Sequence, residues 1–325
     1  MVEYINFDKL YERFEANTFL RPITINKYIH DLKNFKDINI CCFDNIKYEG
    51  KRRDSDGDYL HSITEFRNSC IALNAYYKLN VRKNKELIEL CKDYLLKLNV
   101  LVNDKYHKHK KTLKQDENWL KWTDIMNTNK DLKTACANLD IFKDDNLILN
   151  SKQKKLLKNY LVYSLYTLQP PRRTDYSSML VFDEDQIQDI ELDKETNYLI
   201  TRDDGSRYYI FNKHKTSDNN SLSKKIDVNN EMNIVFNYWL KYNNTGILIP
   251  NRYGNPTNSN SFSKYVIRLF EKYNNKKIGI NMLRNIYITD NIGKKVLNNP
   301  LDIHRRNTAD LMGHNPSSQY LYMKK

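Results

Sequence analysis

The run "SKQKKLLKNYLVYSLYTLQPPRRTDYSSM", residues 151–179, restricts the fold of this chain more than any other stretch. Leu157, Leu161, Leu165 and Leu168 recur at helical spacing, so the run predicts a helix with one apolar face, capped by Ser151. Pro170 and Pro171 end it, because proline lacks an amide hydrogen and pushes the residue before it out of helical conformation. Strand signals follow. "NYLI" and "RYYIF" flank the turn "RDDGS", a hairpin pattern built on Asp-Gly, and "KKIDV" predicts a third strand. From about residue 231 the pattern returns to helices. The expected class is therefore mostly α with a small antiparallel β-sheet, α+β.

The first part of the chain reads as helical throughout. Thr24 is placed to cap a segment in which Ile25, Tyr28, Ile29 and Leu32 share a face. Phe66, Cys70, Leu73 and Tyr77 repeat the spacing after "SITE", where Ser62 and Glu65 stand as in a capping box, and "NKELIELCKDYLLKLNVL" supplies a third helix. A polar stretch from "NTNKDLK" to "DIFKDDNLILN" predicts a boundary, giving a helical domain over 1–130 and a second domain over 131–325. A length of 325 residues fits two domains, at roughly 100–200 residues each.

Two segments imitate metal sites. Asp54, Asp56, Asp58 and Glu65 match calcium-loop positions, but Tyr59 replaces the glycine of the sharp turn and His61 the expected apolar residue. "YHKHKK" puts two histidines at i and i+2, without an acidic or cysteine partner, and reads as a solvated basic face. Cys41, Cys42, Cys70, Cys91 and Cys136 are odd in number and irregularly spaced, which fits reduced thiols packed as small apolar groups.

Charge narrows the partners. Fifty-three Lys and Arg against 40 Asp and Glu leave a formal charge of +13, a field that attracts polyanions such as nucleic acid. No stretch approaches the roughly 20 apolar residues that span a bilayer, and "MVEYINFDKLYERF" lacks the order of a signal peptide, so an intracellular protein without a membrane partner is expected.

Within the second domain, five groups could act together. They are the Arg172–Arg173 pair, the lysines of "FNKHKTS", Arg284 in "NMLRNIYIT", His314 in "LMGHN" and a tyrosine near the end. There is no Gly-rich nucleotide loop, no cluster of metal ligands, and no nucleophilic Ser or Cys beside a base. A cationic set with a phenol suits attack on a phosphodiester. Guanidiniums stabilise charge on the non-bridging oxygens without a metal, cations favour ionisation of the phenol, and a lysine supplies a proton to the departing oxygen.

The order Arg, Lys, Arg, Gly-His, Tyr resembles that of the tyrosine recombinase, or phage integrase, family. The likeness is strongest to divergent members carried by large DNA viruses and related mobile elements. It spans the second domain, and the helical first part is similar to the family's core-binding module, which together implies a two-domain clamp on double-stranded DNA. Arg172 with Asp175 keeps the family's first-arginine spacing, and Arg173 is the alternative, since neighbours on a helix point about 100° apart. Lys215 in "HKT" matches the strand-turn lysine, with Lys213 as fallback. Arg284 matches the second arginine, and Asn281 stands where the family usually has a histidine. His314 matches the later histidine, and Tyr322, eight residues beyond it, is preferred as nucleophile over Tyr320.

The resemblance thus implies a site-specific recombinase or integrase that forms a covalent 3′-phosphotyrosine, needs no metal, ATP or other cofactor, and assembles as a homotetramer on paired sites. An intracellular location is expected, with host nucleus and viral factory both left open. Only Met323, Lys324 and Lys325 follow Tyr322, so contacts between protomers are expected from elsewhere. Two alternatives share the residues: a type IB topoisomerase-like nicking and resealing enzyme, and a catalytically impaired DNA-binding relative.

Overall fold

A computed structural model describes residues 9–17, 20–33, 60–143, 148–187, 191–212, 223–293 and 303–324. The described residues are mostly helical with a small four-stranded mixed sheet, an α+β architecture. Chain contacts divide it into two units, 1–113 and 114–325.

The first unit contains α1 (Leu10–Asn17), α2 (Pro22–Lys33), α3 (Leu60–Lys78) and α4 (Lys85–Lys108). Its core collects Leu10 and Phe14, Ile25 and Leu32, Cys70, Leu73 and Tyr77, and Ile88, Cys91 and Leu98, one apolar stripe per helix. Burial pushes the Cys70 thiol up to about 12 and Cys91 up to about 11, so both pack as protonated, inert groups. Two expected caps move. Helix α2 already begins at Pro22, where proline's missing donor costs nothing, and α3 begins at Leu60, which puts Thr24 and Ser62 inside their helices. Cys41, Cys42 and Asp54, Asp56 and Asp58 of the calcium-like loop lie outside the described residues. Among the described residues no group of three His, Cys, Asp or Glu could hold a metal ion, and no helix is long and apolar enough to cross a membrane.

Helix α5 (Leu113–Glu117) starts at the division between the units, and α6 (Trp122–Ala137) follows in the second. Helix α6 corrects the sequence reading, because the polar stretch "NTNKDLK" is helical and the expected boundary at 130/131 falls inside it. Trp122, Ile125, Asn129, Leu132 and Cys136 form its buried stripe. The stripe is hard to see because its middle member is polar: Asn129 is buried by donating to Ser164 Oγ at 2.9 Å. Helix α7 (Ser151–Leu165) is capped by Asn150 rather than Ser151. Asn150 Oδ1 accepts from the Lys152 and Gln153 amides at 2.9 and 3.0 Å, and the Gln153 side chain accepts from the Asn150 amide at 3.0 Å. Leu157, Leu161 and Leu165 are buried on α7, while Leu168 lies in the turn beyond its end.

The sheet has the order β1 (Leu180–Asp183), β2 (Tyr198–Thr201), β3 (Arg207–Phe211), β4 (Lys224–Asp227). Strands β2, β3 and β4 pair antiparallel as expected, around a turn in which Gly205 takes φ +76°. Strand β1 runs parallel to β2, so the sheet is mixed rather than antiparallel. Alternation along the strands separates two faces. Leu199, Tyr209 and Phe211 join the main core, whereas Tyr198, Ile200 and Tyr208 cover the other face. Helices α8 (Asn230–Tyr242), α9 (Ser259–Asn274) and α10 (Ile280–Tyr287) pack on the same core as α6 and α7. A π-helical turn, Ile288–Ile292, extends α10, and α11 (Ile303–Leu311) and the short α12 (Gln319–Tyr322) follow.

Candidate active site

Residues 173–178, after the prolines and Arg172, form bends and turns rather than a helix. The two arginines are therefore not spread 100° apart, and both side chains turn toward the same place. Arg172 is 2% exposed; its Nε donates to Asp175 Oδ2 at 3.0 Å and its Nη1 to the Leu311 carbonyl at 2.7 Å. Its guanidinium lies 3.7 Å from the Phe211 ring centre, so the end of β3 forms the floor beneath it. Arg173 is half-buried and donates from Nη2 to the Tyr322 hydroxyl at 3.0 Å.

Helix α10 carries the third guanidinium. Arg284 is fully buried, and its Nη1 donates to the carbonyls of Pro171 and Met312, each at 2.9 Å, tying the Arg172 segment to the end of α11. Its Nη2 contacts His314 Nδ1 at 2.6 Å and donates to the Tyr322 hydroxyl at 3.2 Å. A guanidinium can only donate, so Nδ1 is the acceptor and the imidazole proton sits on Nε2. Burial, then the charges of Arg284, Arg173, Arg172 and Lys224, push His314 down to about 3 and keep it neutral. Burial likewise pulls Arg284 down, and the Tyr322 oxygen opposes that shift.

The last residues are held from two sides. Tyr322 stacks on His314 with centroids 5.4 Å apart, and the Arg284 guanidinium lies 4.7 Å from the centre of its ring. Met323 is buried among Ile288, Ile292 and Met312, and the Lys324 amide donates to Thr289 Oγ1 at 3.0 Å. The π-helical turn thus provides the seat for the chain end, a local irregularity of the kind that often marks functional sites.

Gly313 explains the Gly-His pair. At φ +64° it ends α11, and the His314 amide turns back to the Ala309 carbonyl at 3.1 Å. A Cβ on it would lie 2.6 Å from Arg172 Nη2, so only glycine leaves room for that guanidinium.

The structure brings together Arg172, Arg173, Arg284, His314 and Tyr322. Asn281 is exposed in the first turn of α10 and makes no hydrogen bond to them. Lys213 and Lys215, and the side chain of Tyr320, lie outside the described residues. Sequence reasoning missed Lys224, whose Nζ bonds Asp310 Oδ1 at 2.6 Å and whose charge reaches His314. Its place opposite Phe211 depends on the β3–β4 register, for which no local signal exists.

Three buried donors here have no partner among the described groups: Arg172 Nη2, Arg284 Nε and His314 Nε2. Of these two fully buried guanidiniums, only Arg172 pairs with a carboxylate among the described residues, that of Asp175. Buried charge without compensation costs several kcal/mol per ion, about 3–5 kcal/mol where a partner is missing, and an anionic ligand removes the deficit. Comparison of the chain with protein-family models, curated proteins and solved structures gives no match.

Proposed function

We propose that the chain is a site-specific DNA recombinase or integrase that cuts and rejoins strands through a 3′-phosphotyrosine on Tyr322. One observation carries this reading: a phenolic oxygen 3.2 Å from a fully buried arginine that also holds a neutral histidine, beside a second buried arginine with a spare donor. A phosphodiester supplies the missing anion. Its non-bridging oxygens accept from Arg172, Arg284 and the His314 Nε2 hydrogen, which stabilises the charge that grows as phosphorus becomes five-coordinate. The Tyr322 oxygen attacks phosphorus, the bond to the 5′ oxygen breaks, and that oxygen takes a proton from Lys215 or water. Reversal by another 5′ hydroxyl rejoins strands without ATP. All three spare donors are buried and the Tyr322 ring stacks on His314, so on this reading a phosphate reaches them only after the surrounding chain shifts, α12 with its tyrosine included.

The assay uses a pool of duplexes of randomised sequence, nicked so that the cleaved fragment diffuses away. The parent protein is expected to form an adduct stable to detergent, and Tyr322→Phe to form none. Joining of ends from two duplexes, without relaxation of a supercoiled circle, distinguishes recombination from topoisomerase action. Sequence-specific binding without any adduct would leave only the DNA-binding reading. A homotetramer on paired sites and a clamp formed by both units belong to the same proposal.

A further inference from the structure

We propose, on the recombinase reading, that Arg173 is a second activating arginine that serves the phenol. It holds the Tyr322 oxygen as its proton leaves, a task for which Asn281, exposed and unable to take up a proton, is no substitute. The hydrogen bond from Arg173 is the shorter of the two that reach this oxygen, 3.0 Å against 3.2 Å. Its neighbour cannot do the work. Arg172 is fixed by Asp175, Leu311 and the Phe211 ring, and its spare nitrogen lies against Gly313, not Tyr322. Arg284 reaches the oxygen as well, but the Nη2 that does so also donates to His314 and its Nη1 is held by two carbonyls, so it is fixed in place.

Arg173 differs in freedom as well as in partner. It stands on a bend, is half-buried, and makes its side-chain contact at the phenol, while its carbonyl is anchored by the Tyr166 hydroxyl at 2.7 Å. A fixed backbone with a long side chain lets the guanidinium follow the oxygen when α12 shifts to admit DNA. Asn281 neither titrates nor touches the phenol, and His314 gives its lone pair to Arg284. No described group is left to accept the proton, so it passes to water while the two guanidiniums hold the oxyanion. The electron pair of the O–H bond stays on Tyr322 Oη and forms the bond to phosphorus; the pair of the P–O5′ bond leaves with the 5′ oxygen, which is protonated in turn.

The test measures single-turnover adduct formation on a duplex that the parent protein cleaves, between pH 6 and 9.5. It uses a second duplex with sulfur at the 5′ bridging position, a leaving group that needs no proton. Arg173→Gln is expected to slow the adduct about 100-fold near neutral pH, at the lower end of what loss of one charge-stabilising donor costs. The deficit should persist with the sulfur duplex, shrink as pH rises, and be partly recovered by Arg173→Lys. Thermal unfolding of both variants separates a chemical defect from a misfolded site. An Arg173→Gln protein that is folded and as fast as the parent overturns the assignment, as does a deficit that vanishes with sulfur, since the residue would then act on the leaving group. A parent that forms no adduct on any duplex overturns the recombinase reading together with it.

Discussion

At the scale of single residues, the site is a problem of surplus charge solved by close packing. Arg172 and Arg284 are the two largest fully buried side chains, and their guanidiniums meet main-chain carbonyls more often than carboxylates. Gly313 makes this possible, and replacing it separates two effects. Gly313→Ala forces alanine into positive φ, which costs about 1 kcal/mol, a loss that urea unfolding resolves. The larger effect falls on function, because the methyl group must displace Arg172 Nη2, and adduct formation should drop by at least about 10²-fold. His314 gives a prediction with a definite sign. It is held neutral down to about pH 3 when folded but titrates near 6.5 when unfolded. Between those values the unfolded chain binds the extra proton, so stability from this group is complete above about pH 6.5 and declines as pH falls toward 3. His314→Asn should therefore lose less stability between pH 7 and 4 than the parent, measured by denaturant unfolding at each pH. An equal or larger loss would show that the histidine is not desolvated.

At the scale of elements, secondary structure positions the site by where segments stop. Helix α7 delivers the chain to Pro170 and the arginines, and its start depends on Asn150. Asn150→Ala should cost about 1 kcal/mol in urea unfolding with adduct rates unchanged, since the cap lies at the end of α7 remote from the arginines. Much of this layer is legible in the sequence. The leucine stripe of α7, the Asp-Gly hairpin and the helical spacing of Cys70, Leu73 and Tyr77 each follow from local periodicity, and all three appear in the fold. What escapes depends on partners distant in the chain. Strand β1 packs apolar residues on both faces, Val181 on the main core and Leu180 and Phe182 on the other, so its sequence shows no polar alternation to read. Helix α6 looks like a linker until Ser164 is known to satisfy Asn129. At the site, Arg284, His314 and Tyr322 can be selected by their order, but the entry of both Arg172 and Arg173 cannot, because it requires turns where a helix is expected. Lys224 is invisible for the reason given by the register of β4.

At the scale of the whole molecule, a charge of +13 and a buried cationic site favour the same partner. If phosphates neutralise the protein's lysines and arginines, the logarithm of duplex affinity should fall linearly with the logarithm of salt concentration, a slope read by titration at several ionic strengths. An affinity insensitive to salt would exclude backbone binding as the main interaction. The proposed function nevertheless turns on something smaller, a bond between DNA and Tyr322. The most direct measurement is tandem mass spectrometry of the trapped adduct after digestion of protein and DNA. The expected result is a nucleotide remnant linked through its 3′ phosphate to Tyr322. A remnant on Tyr320, on a serine or on any other side chain would contradict it, as would a folded, DNA-bound protein that carries none.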